Sequence, residues 1–302
     1  MSSKSVYIIA ELSANHGGAL SNAIKTIKEA KSSGANAIKL QTYTADTITL
    51  NSKKDYFKIS EGTMWDGRFL WDLYHEAHTP WEWHEEIFRV AREEGLECFS
   101  SPFDFTAVDF LEQFNPPYYK IASFEINDLP LISYTASKGR PMIMSTGMGN
   151  EEDIQNALDA CYKVGNTKVT LLKCTSSYPA PVSAANMNSI PLLREVFKVP
   201  VGLSDHTEGF IVPVTAVALG AEIVEKHFIL DRKLGGPDAS FSMEPQEFKY
   251  MVDRVRDVEL ALGEATFDIP AASVKNLKFR RSLFVTKDIN QGELFTANNV
   301  RS

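Results

Sequence analysis

Short runs of apolar residues recur along the chain, and longer stretches with helical spacing of apolar positions separate them. Runs of this length between turn signals are typical of strands buried on both faces of a parallel sheet. The stretches between them carry helix signals: Asn150 precedes three acidic residues, while Gly34, Gly95, Gly139 and Gly220 end other stretches. The eight predicted strands cover residues 6–12, 37–43, 97–102, 118–123, 141–147, 168–175, 199–206 and 222–230.

Eight alternating strand and helix units predict an α/β fold of the (β/α)8 TIM-barrel type. An open doubly wound sheet would use the same alternation. The chain has no glycine-rich dinucleotide fingerprint, which favours the closed barrel over the open sheet.

The connection between the second strand and a helix near Trp81 is much longer than an ordinary strand-to-helix loop. It is rich in aromatic residues, which suit either a lid that controls specificity or a plug that only closes the barrel rim. The aromatic residues are Tyr56, Phe57, Trp65, Phe69, Trp71 and Tyr74.

The barrel pattern ends with a helix over roughly Pro245–Leu262, so we assign residues 1–263 to the barrel. Residues 264–279 have the composition of a linker, and residues 280–302 begin another strand and turn. So short a segment cannot bury a core of its own. We therefore interpret 280–302 as the beginning of a truncated second domain.

Composition excludes several function classes. The 302 residues carry a net charge of −8 and no basic cluster longer than Lys53-Lys54 or Arg280-Arg281, which argues against nucleic-acid binding. Three widely spaced cysteines suit buried thiols in a reducing compartment better than a disulfide framework. The longest apolar stretch, residues 210–224, is interrupted by Pro213, Gly220 and Glu222, and no apolar signal region precedes the first strand. We expect a cytoplasmic protein with no membrane contact.

Two histidines, His206 and His227, end the seventh and eighth predicted strands. Catalytic groups of barrel enzymes lie at these strand ends. Two imidazoles suit a divalent metal with open coordination positions, as a Lewis-acid site requires. The alternative is that each histidine is a polar cap on its strand.

Lysines on the second and fourth strands, Lys39 and Lys120, accompany the hydroxyl groups of Ser101, Ser123 and Ser145 at neighbouring strand ends. A buried lysine is costly without an anion, so this group predicts a cradle for phosphate with or without a carboxylate. The alternatives are internal pairing of each lysine with Glu11, Glu125 or Glu225, or a Schiff-base lysine.

Carboxylates are also present at these strand ends. Glu11 and Glu225 suit proton transfer or orientation of a water molecule, unless they are counter-ions of Lys39 or Lys226. Asp238 follows the eighth strand in a tight loop, where it suits either sugar hydroxyls or a turn.

Motifs in matching order resemble the sialic acid synthase family along nearly the whole chain. They are Glu11-xxx-Asn15-His16-Gly17, residues 38–42 (IKLQT), 101–103 (SPF), 119–123 (YKIAS), 145–148 (STGM), 204–207 (SDHT), 225–228 (EKHF) and 236–238 (GPD). The resemblance implies a barrel enzyme that condenses phosphoenolpyruvate with an N-acetylated aldose to give a nine-carbon 2-keto acid. It also implies Mn²⁺ as cofactor, with Mg²⁺ or Co²⁺ as alternatives, and an antifreeze-like (SAF) C-terminal domain, which residues 280–302 would begin. The full-length protein would form a domain-swapped homodimer.

Within the family, the closer resemblance is to the pseudaminic acid synthases, through residues 42–50 (TYTADTITL), 79–84 (TPWEWH), 98–103 (CFSSPF) and 172–179 (LKCTSSYP). The acceptor would then be 2,4-diacetamido-2,4,6-trideoxy-L-altrose. Ser176 stands where N-acetylneuraminate synthases have Asn, which puts its role as a phosphate ligand in doubt.

The resemblance also assigns roles to individual residues. It implies His206 and His227 as metal ligands, and Glu11, Glu225 and Lys120 as catalytic groups. Residues implied to bind the two substrates are Lys39, Ser101, Ser123, Ser145, Ser176, Tyr178, Ser204 and Asp238. The alternatives are an N-acetylneuraminate or legionaminate synthase, a Schiff-base aldolase, or a sugar-phosphate binder without activity.

Overall fold

The computed structural model describes residues 5–60 and 62–302, and its central feature is a closed barrel of eight parallel strands. Each strand pairs with the next in the chain, and the first pairs with the eighth, with Glu11 opposite both Lys39 and His227. The predicted TIM-barrel fold is therefore confirmed. The strands are β1 Tyr7–Glu11, β2 Ala37–Thr42, β3 Glu97–Pro102, β4 Tyr119–Ile121, β5 Met142–Ser145, β6 Val169–Cys174, β7 Val201–Asp205 and β8 Ile223–His227.

Ten helices accompany the barrel strands in the described part of the chain, and none of them is long and apolar enough to cross a membrane. The predicted start of a helix at Asn150 is confirmed. The Asn150 side chain accepts a hydrogen bond from Asp153 N at 3.0 Å, and the Asp153 carboxylate accepts one from Asn150 N. The helices are α1 Leu20–Ser32, α2 Ala45–Ile48, α3 Leu70–Ala77, α4 His84–Glu93, α5 Phe105–Glu112, α6 Leu129–Ala136, α7 Glu151–Lys163, α8 Ser189–Phe197, α9 Ile211–Ala218 and α10 Pro245–Leu262.

The inward-facing side chains of the strands form two layers inside the barrel, an apolar layer and, nearer the C-terminal ends of the strands, a polar layer. Side chains that alternate with the helix-facing ones fill the middle of the barrel with a small apolar cluster: Ile9, Ala37, Phe99, Ile143, Leu172 and Ile223. Two residues further along β1 and β2, the same inward face carries Glu11 and Lys39. The polar strand ends predicted from the sequence therefore stand on a packed apolar floor.

The long connection after β2 is folded, with α2 and α3 separated by loops and short turns. Its aromatic residues have different positions: Tyr56 is 93% exposed, whereas the Trp65 indole donates to the Pro237 carbonyl oxygen at 2.9 Å. The segment thus reaches the loop that follows β8. Its ordered helices distinguish it from an unstructured lid.

A buried histidine of α4 links that helix to the outer face of β2. His84 is fully buried, its Nδ1 donates to the Pro80 carbonyl oxygen at 3.2 Å, and its Nε2 accepts from Thr42 Oγ1 at 2.8 Å. Burial lowers the pKa of His84 from 6.5 to about 4. The neutral ring is therefore the form that the fold stabilises.

We expect the contribution of neutral His84 to the stability of the chain to fall as the pH falls from 6.5 towards 4. Protonation is unfavourable in the folded state but free in the unfolded state, so the contribution of neutral His84 is complete above pH 6.5 and is lost below it. The expected loss in free energy of unfolding is about 3 kcal/mol. Urea unfolding between pH 7.5 and 4 measures it.

The stability of the wild type relative to His84→Gln should therefore fall across this range, whereas its stability relative to the same change at the exposed His75 should stay constant. A constant difference between the wild type and His84→Gln would contradict the role of His84.

Residues Gly263–Ser302 form a separate compact unit. The stretch predicted as a linker contains the short helix α11, Ala271–Val274, and a 3-10 turn, Lys275–Phe279. Two short antiparallel strands follow, β9 Phe284–Val285 and β10 Val300–Arg301. The assignment of residues 280–302 to an antifreeze-like domain remains a prediction.

Candidate active site

Four buried charged side chains form a network at the C-terminal mouth of the barrel. Lys39 forms an ion pair with Glu11, and its Nζ lies 3.7 Å from Glu225 Oε2. Lys120 Nζ lies 3.6 Å from Glu225 Oε1. Each of the four residues is at most 5% exposed. These groups therefore meet, as the sequence predicted. The alternative that the lysines pair internally with glutamates is also present, for Glu11 and Glu225.

Hydroxyl groups from three further strands surround this network. Lys120 donates to Ser145 Oγ at 2.7 Å, Lys39 to Ser101 Oγ at 3.5 Å, and Ser204 Oγ donates to Glu225 at 2.9 Å. Ser101, Ser145 and Ser204 are therefore where the sequence placed them.

Ser123 and Ser176 lie just beyond their strands, on either side of Gly147. Ser123 was predicted to end the fourth strand, but β4 stops at Ile121 and Ser123 begins a 3-10 turn. Its Oγ accepts from Gly147 N at 3.2 Å. A side chain at Gly147 would clash with the hydroxyl groups of Ser123 and Ser176, so glycine permits this close approach.

The two carboxylates have different proton affinities. Burial raises the pKa of Glu11 to about 7, although Lys39 opposes the rise. Burial also acts to raise the pKa of Glu225, but Lys120 and Lys39 outweigh it and hold this pKa below its ordinary value. Glu11 can therefore exchange a proton near neutral pH while Glu225 stays ionised. When Glu11 is partly protonated, the positive charge of Lys39 and Lys120 exceeds the negative charge of Glu11 and Glu225. This excess suits a bound anion.

A third buried lysine, Lys226, faces away from this network. Its Nζ lies 2.5 Å from Asp205 Oδ2, and it also donates to the Thr207 carbonyl oxygen. The suggestion that Glu225 is the counter-ion of Lys226 is therefore wrong. Adjacent residues of a strand point to opposite faces, so Glu225 points into the barrel and Lys226 points out of it.

His206 and His227 lie side by side at the rim, with ring centroids 5.3 Å apart. The Thr175 carbonyl oxygen accepts a hydrogen bond from His206 Nδ1 at 3.0 Å. Burial, followed by the positive charges of His206 and Lys39, lowers the pKa of His227. The two rings that the sequence predicted to meet are thus adjacent.

The two histidines suit a divalent metal because each ring has a nitrogen atom that is free to bind it. His227 Nδ1 is buried without a hydrogen-bond partner among the described residues, and Asp238 Oδ2 lies 3.8 Å from it. The bond from His206 Nδ1 to a carbonyl oxygen leaves Nε2 with its lone pair, as in many metal-ligating histidines. The described residues contain no group of three or more His, Cys, Asp or Glu side chains placed to hold a metal. A metal here would therefore depend on water or substrate for further ligands.

A cavity of about 430 Å³ opens beside His227. Tyr178 and Asp238 line it, and the Tyr178 ring lies 4.4 Å from the His206 ring between centroids. Asp238 makes no capping bond to the 3-10 turn that follows it, and its carboxylate accepts from Ala14 N at 3.4 Å. Its position favours the ligand-facing interpretation over a purely turn-forming one.

Three residues of this region were not among the predicted site residues. Glu125 lines the cavity two residues beyond Ser123, and this spacing was the available signal. Trp65 also lines it and lies 5.6 Å from the Tyr178 ring, but the sequence showed only an aromatic-rich segment. Phe241 packs against the His227 ring at 5.0 Å, and no sequence signal marked it.

Comparisons with known proteins identify the family of the chain. Residues 26–267 match the model of the NeuB family. The chain belongs to the NeuB family. It is 50% identical over 299 residues to pseudaminic acid synthase of Campylobacter jejuni, an alignment that covers 99% of this chain and 87% of that protein. Its identity to pseudaminic acid synthase of Helicobacter pylori is 48% over 296 residues, covering 98% and 87% of the two chains.

A solved structure gives the same fold for this member of the NeuB family. The N-acetylneuraminic acid (sialic acid) synthetase of Leptospira borgpetersenii, crystallised with citrate, superposes with a TM-score of 0.81 at 31% identity and 92% coverage of both chains. The predicted resemblance to the sialic acid synthases, nearest to their pseudaminic acid branch, is therefore confirmed.

Proposed function

We propose that this NeuB-family chain is a pseudaminic acid synthase. It would condense phosphoenolpyruvate with 2,4-diacetamido-2,4,6-trideoxy-L-altrose and release phosphate. The observation that carries the proposal is the convergence of Lys39 and Lys120 with paired imidazoles at one barrel mouth. The relatives of about half-identical sequence that bear this name support the choice of acceptor.

The lysines would hold phosphoenolpyruvate. Its phosphate and carboxylate together need several positive or donor groups in a water-poor site, which Lys39, Lys120 and the hydroxyls of Ser101, Ser123 and Ser145 provide. Glu225 keeps both ammonium groups in place through its two oxygen atoms. Ser176, half-buried beside Gly147, has a less direct position.

A divalent metal, Mn²⁺ in the first instance, would be held by His206 and His227. When bound, it supplies Lewis-acid polarisation of the sugar aldehyde. Tyr178, Ser204 and Asp238 would orient the open-chain sugar so that its aldehyde carbon faces the enol carbon of phosphoenolpyruvate.

Glu11 would handle the proton of the attacking water. A carbon–carbon bond forms between the enol carbon and the aldehyde carbon, whose oxygen takes up a proton to become a hydroxyl, and cationic character develops at the carbon that bears phosphate. Water adds there, and Glu11 Oε accepts its proton, which a pKa of about 7 permits. Cleavage of the C–O bond then expels phosphate, which takes the remaining proton of the added water as the keto group forms. The two lysines stabilise the charge of the phosphate.

We also propose that the protein works as a domain-swapped homodimer in the cytoplasm, where phosphoenolpyruvate is available.

Phosphate release from phosphoenolpyruvate tests the proposal. With Mn²⁺, we expect release to be selective for the diacetamido-trideoxy-altrose over N-acetylmannosamine and to stop when a chelator removes the metal. Preference for N-acetylmannosamine would assign the chain to the neuraminate branch. Absence of release with both sugars would contradict a synthase role for either.

A further inference from the structure

The cavity beside His227 has two chemically different walls. Strand ends and their loops supply polar groups, including Gln41, Ser123 and Asp238. The connection between β2 and α4 supplies a largely apolar part of the lining, which includes four aliphatic side chains. We call these four side chains the apolar wall; its residues are Ile48, Ile59, Leu70 and Leu73.

The apolar wall is not part of the barrel core. Leu73 is 6% exposed and the other three side chains are half-buried, yet none of the four belongs to the apolar clusters inside or around the barrel in the described part of the chain. When a ligand covers aliphatic side chains of a cavity with its own apolar atoms, the removal of apolar surface from water favours binding.

Glu125 lines the same cavity, and one of its carboxylate oxygens has no hydrogen-bond partner among the described residues. Its Oε2 is buried without a hydrogen bond, and no lysine or arginine of the described residues lies within ion-pair distance of its carboxylate. Burial raises its pKa to about 7, so near neutral pH this carboxyl can accept from an N–H group or donate to a carbonyl oxygen. An unsatisfied buried carboxyl is costly, and a ligand amide would satisfy it.

We propose that the apolar wall and Glu125 form a subsite for the C4 acetamido group of the sugar acceptor, with its methyl on the wall and its amide against Glu125. The inference rests on the proposed function and names the groups that select its substrate. N-acetylmannosamine has one acetamido group and hydroxyls at C4 and C6, whereas the proposed acceptor has a second acetamido group at C4 and a methyl group at C6. Only the latter can cover the wall without burying hydroxyls.

The size of the expected selection follows from general pocket energetics. An apolar pocket rejects an added hydroxyl by only about 100-fold, whereas a buried polar group that loses its partner rejects more strongly. We therefore expect the wall and Glu125 together to favour the diacetamido sugar by at least about 100-fold in kcat/KM.

Two sets of variants test the subsite. Ile48→Thr combined with Ile59→Thr makes the wall polar. Ile48→Val combined with Ile59→Val is the matched apolar control, because Val has the shape of Thr without its hydroxyl. We expect the double threonine variant to lose about 10-fold or more of the preference for the diacetamido sugar, mainly through KM, while the double valine variant keeps most of it. Glu125→Leu should also reduce the preference, and Glu125→Gln, which can still pair with an amide, should restore most of it.

Titration calorimetry with each sugar in the absence of phosphoenolpyruvate separates this inference from the proposed function. Tighter binding of the diacetamido sugar by the wild type, lost in the double threonine variant and in Glu125→Leu, supports the subsite even if phosphate release fails. Equal affinity of the wild type for both sugars would overturn it. So would an unchanged preference in the variants, provided that their melting temperatures show folded protein.

Discussion

Replacing both rim histidines, His206→Ala with His227→Ala, is expected to lower phosphate release at least about 1,000-fold, because a Lewis acid at the reacting carbonyl supplies several kcal/mol of the barrier reduction. The rings lie 5.3 Å apart and pack mainly against each other, Tyr178 and Phe241, so the barrel should tolerate their loss. The double variant should also bind no Mn²⁺ in a direct measurement of metal content.

His75→Ala is the matched control for the histidine pair, since His75 is exposed, stacks on Trp71 and does not line the cavity beside His227. It should retain activity and metal within about two-fold of the wild type, as expected for a surface substitution. Near-native activity of the double variant in metal-stripped buffer would mean that the metal assignment is wrong. Retained Mn²⁺ with lost activity would assign the histidines to another role.

Lys120→Met is expected to reduce kcat/KM for phosphoenolpyruvate by about 100- to 1,000-fold, the usual cost of losing one positioned donor at developing negative charge. Its effect on stability should be small. Glu225 would keep Lys39 at 3.7 Å and the Ser204 hydroxyl at 2.9 Å, so no buried charge is left alone.

Lys226→Met provides the contrast, because Lys226 is equally buried but lies on the other face of the sheet. Its loss leaves Asp205 with only the backbone N–H and hydroxyl of Thr207, each at 3.0 Å, and no cation. The expected destabilisation is about 3–5 kcal/mol in urea unfolding. If Lys120→Met proves as destabilising as Lys226→Met, or keeps full affinity for phosphoenolpyruvate, the anion-binding role of Lys120 is wrong.

Much of the barrel could be predicted because the signal is local. Each strand is a short apolar run, and parallel strands in a closed sheet bring all their C-terminal ends to one mouth. That rule was enough to place Glu11, Lys39, Lys120, His206 and His227 in one site before any contact was known. Alternation along a strand also separates Glu225 from Lys226, although the choice of inward residue needs the apolar floor as a reference.

The pairing inside the site could not be predicted, because it depends on distances between strands. The sequence allowed Lys39 and Lys120 to pair with any of three glutamates, and only the closed barrel places Glu225 between both lysines and leaves Glu125 without one. The proton affinities of Glu11 and Glu225 diverge for the same reason, since burial and the distance to each lysine set them.

The sequence by itself determined the fold class and the edge of the barrel at which chemistry is placed, since both follow from periodicities of a few residues. Only the tertiary structure decided how the connection after β2 is used. Its aromatic composition suited a lid or a plug equally well. Folding brings Ile48, Ile59, Leu70 and Leu73 to the cavity that Glu125 also lines, and the meeting of segments so distant in sequence depends on packing that no local pattern encodes.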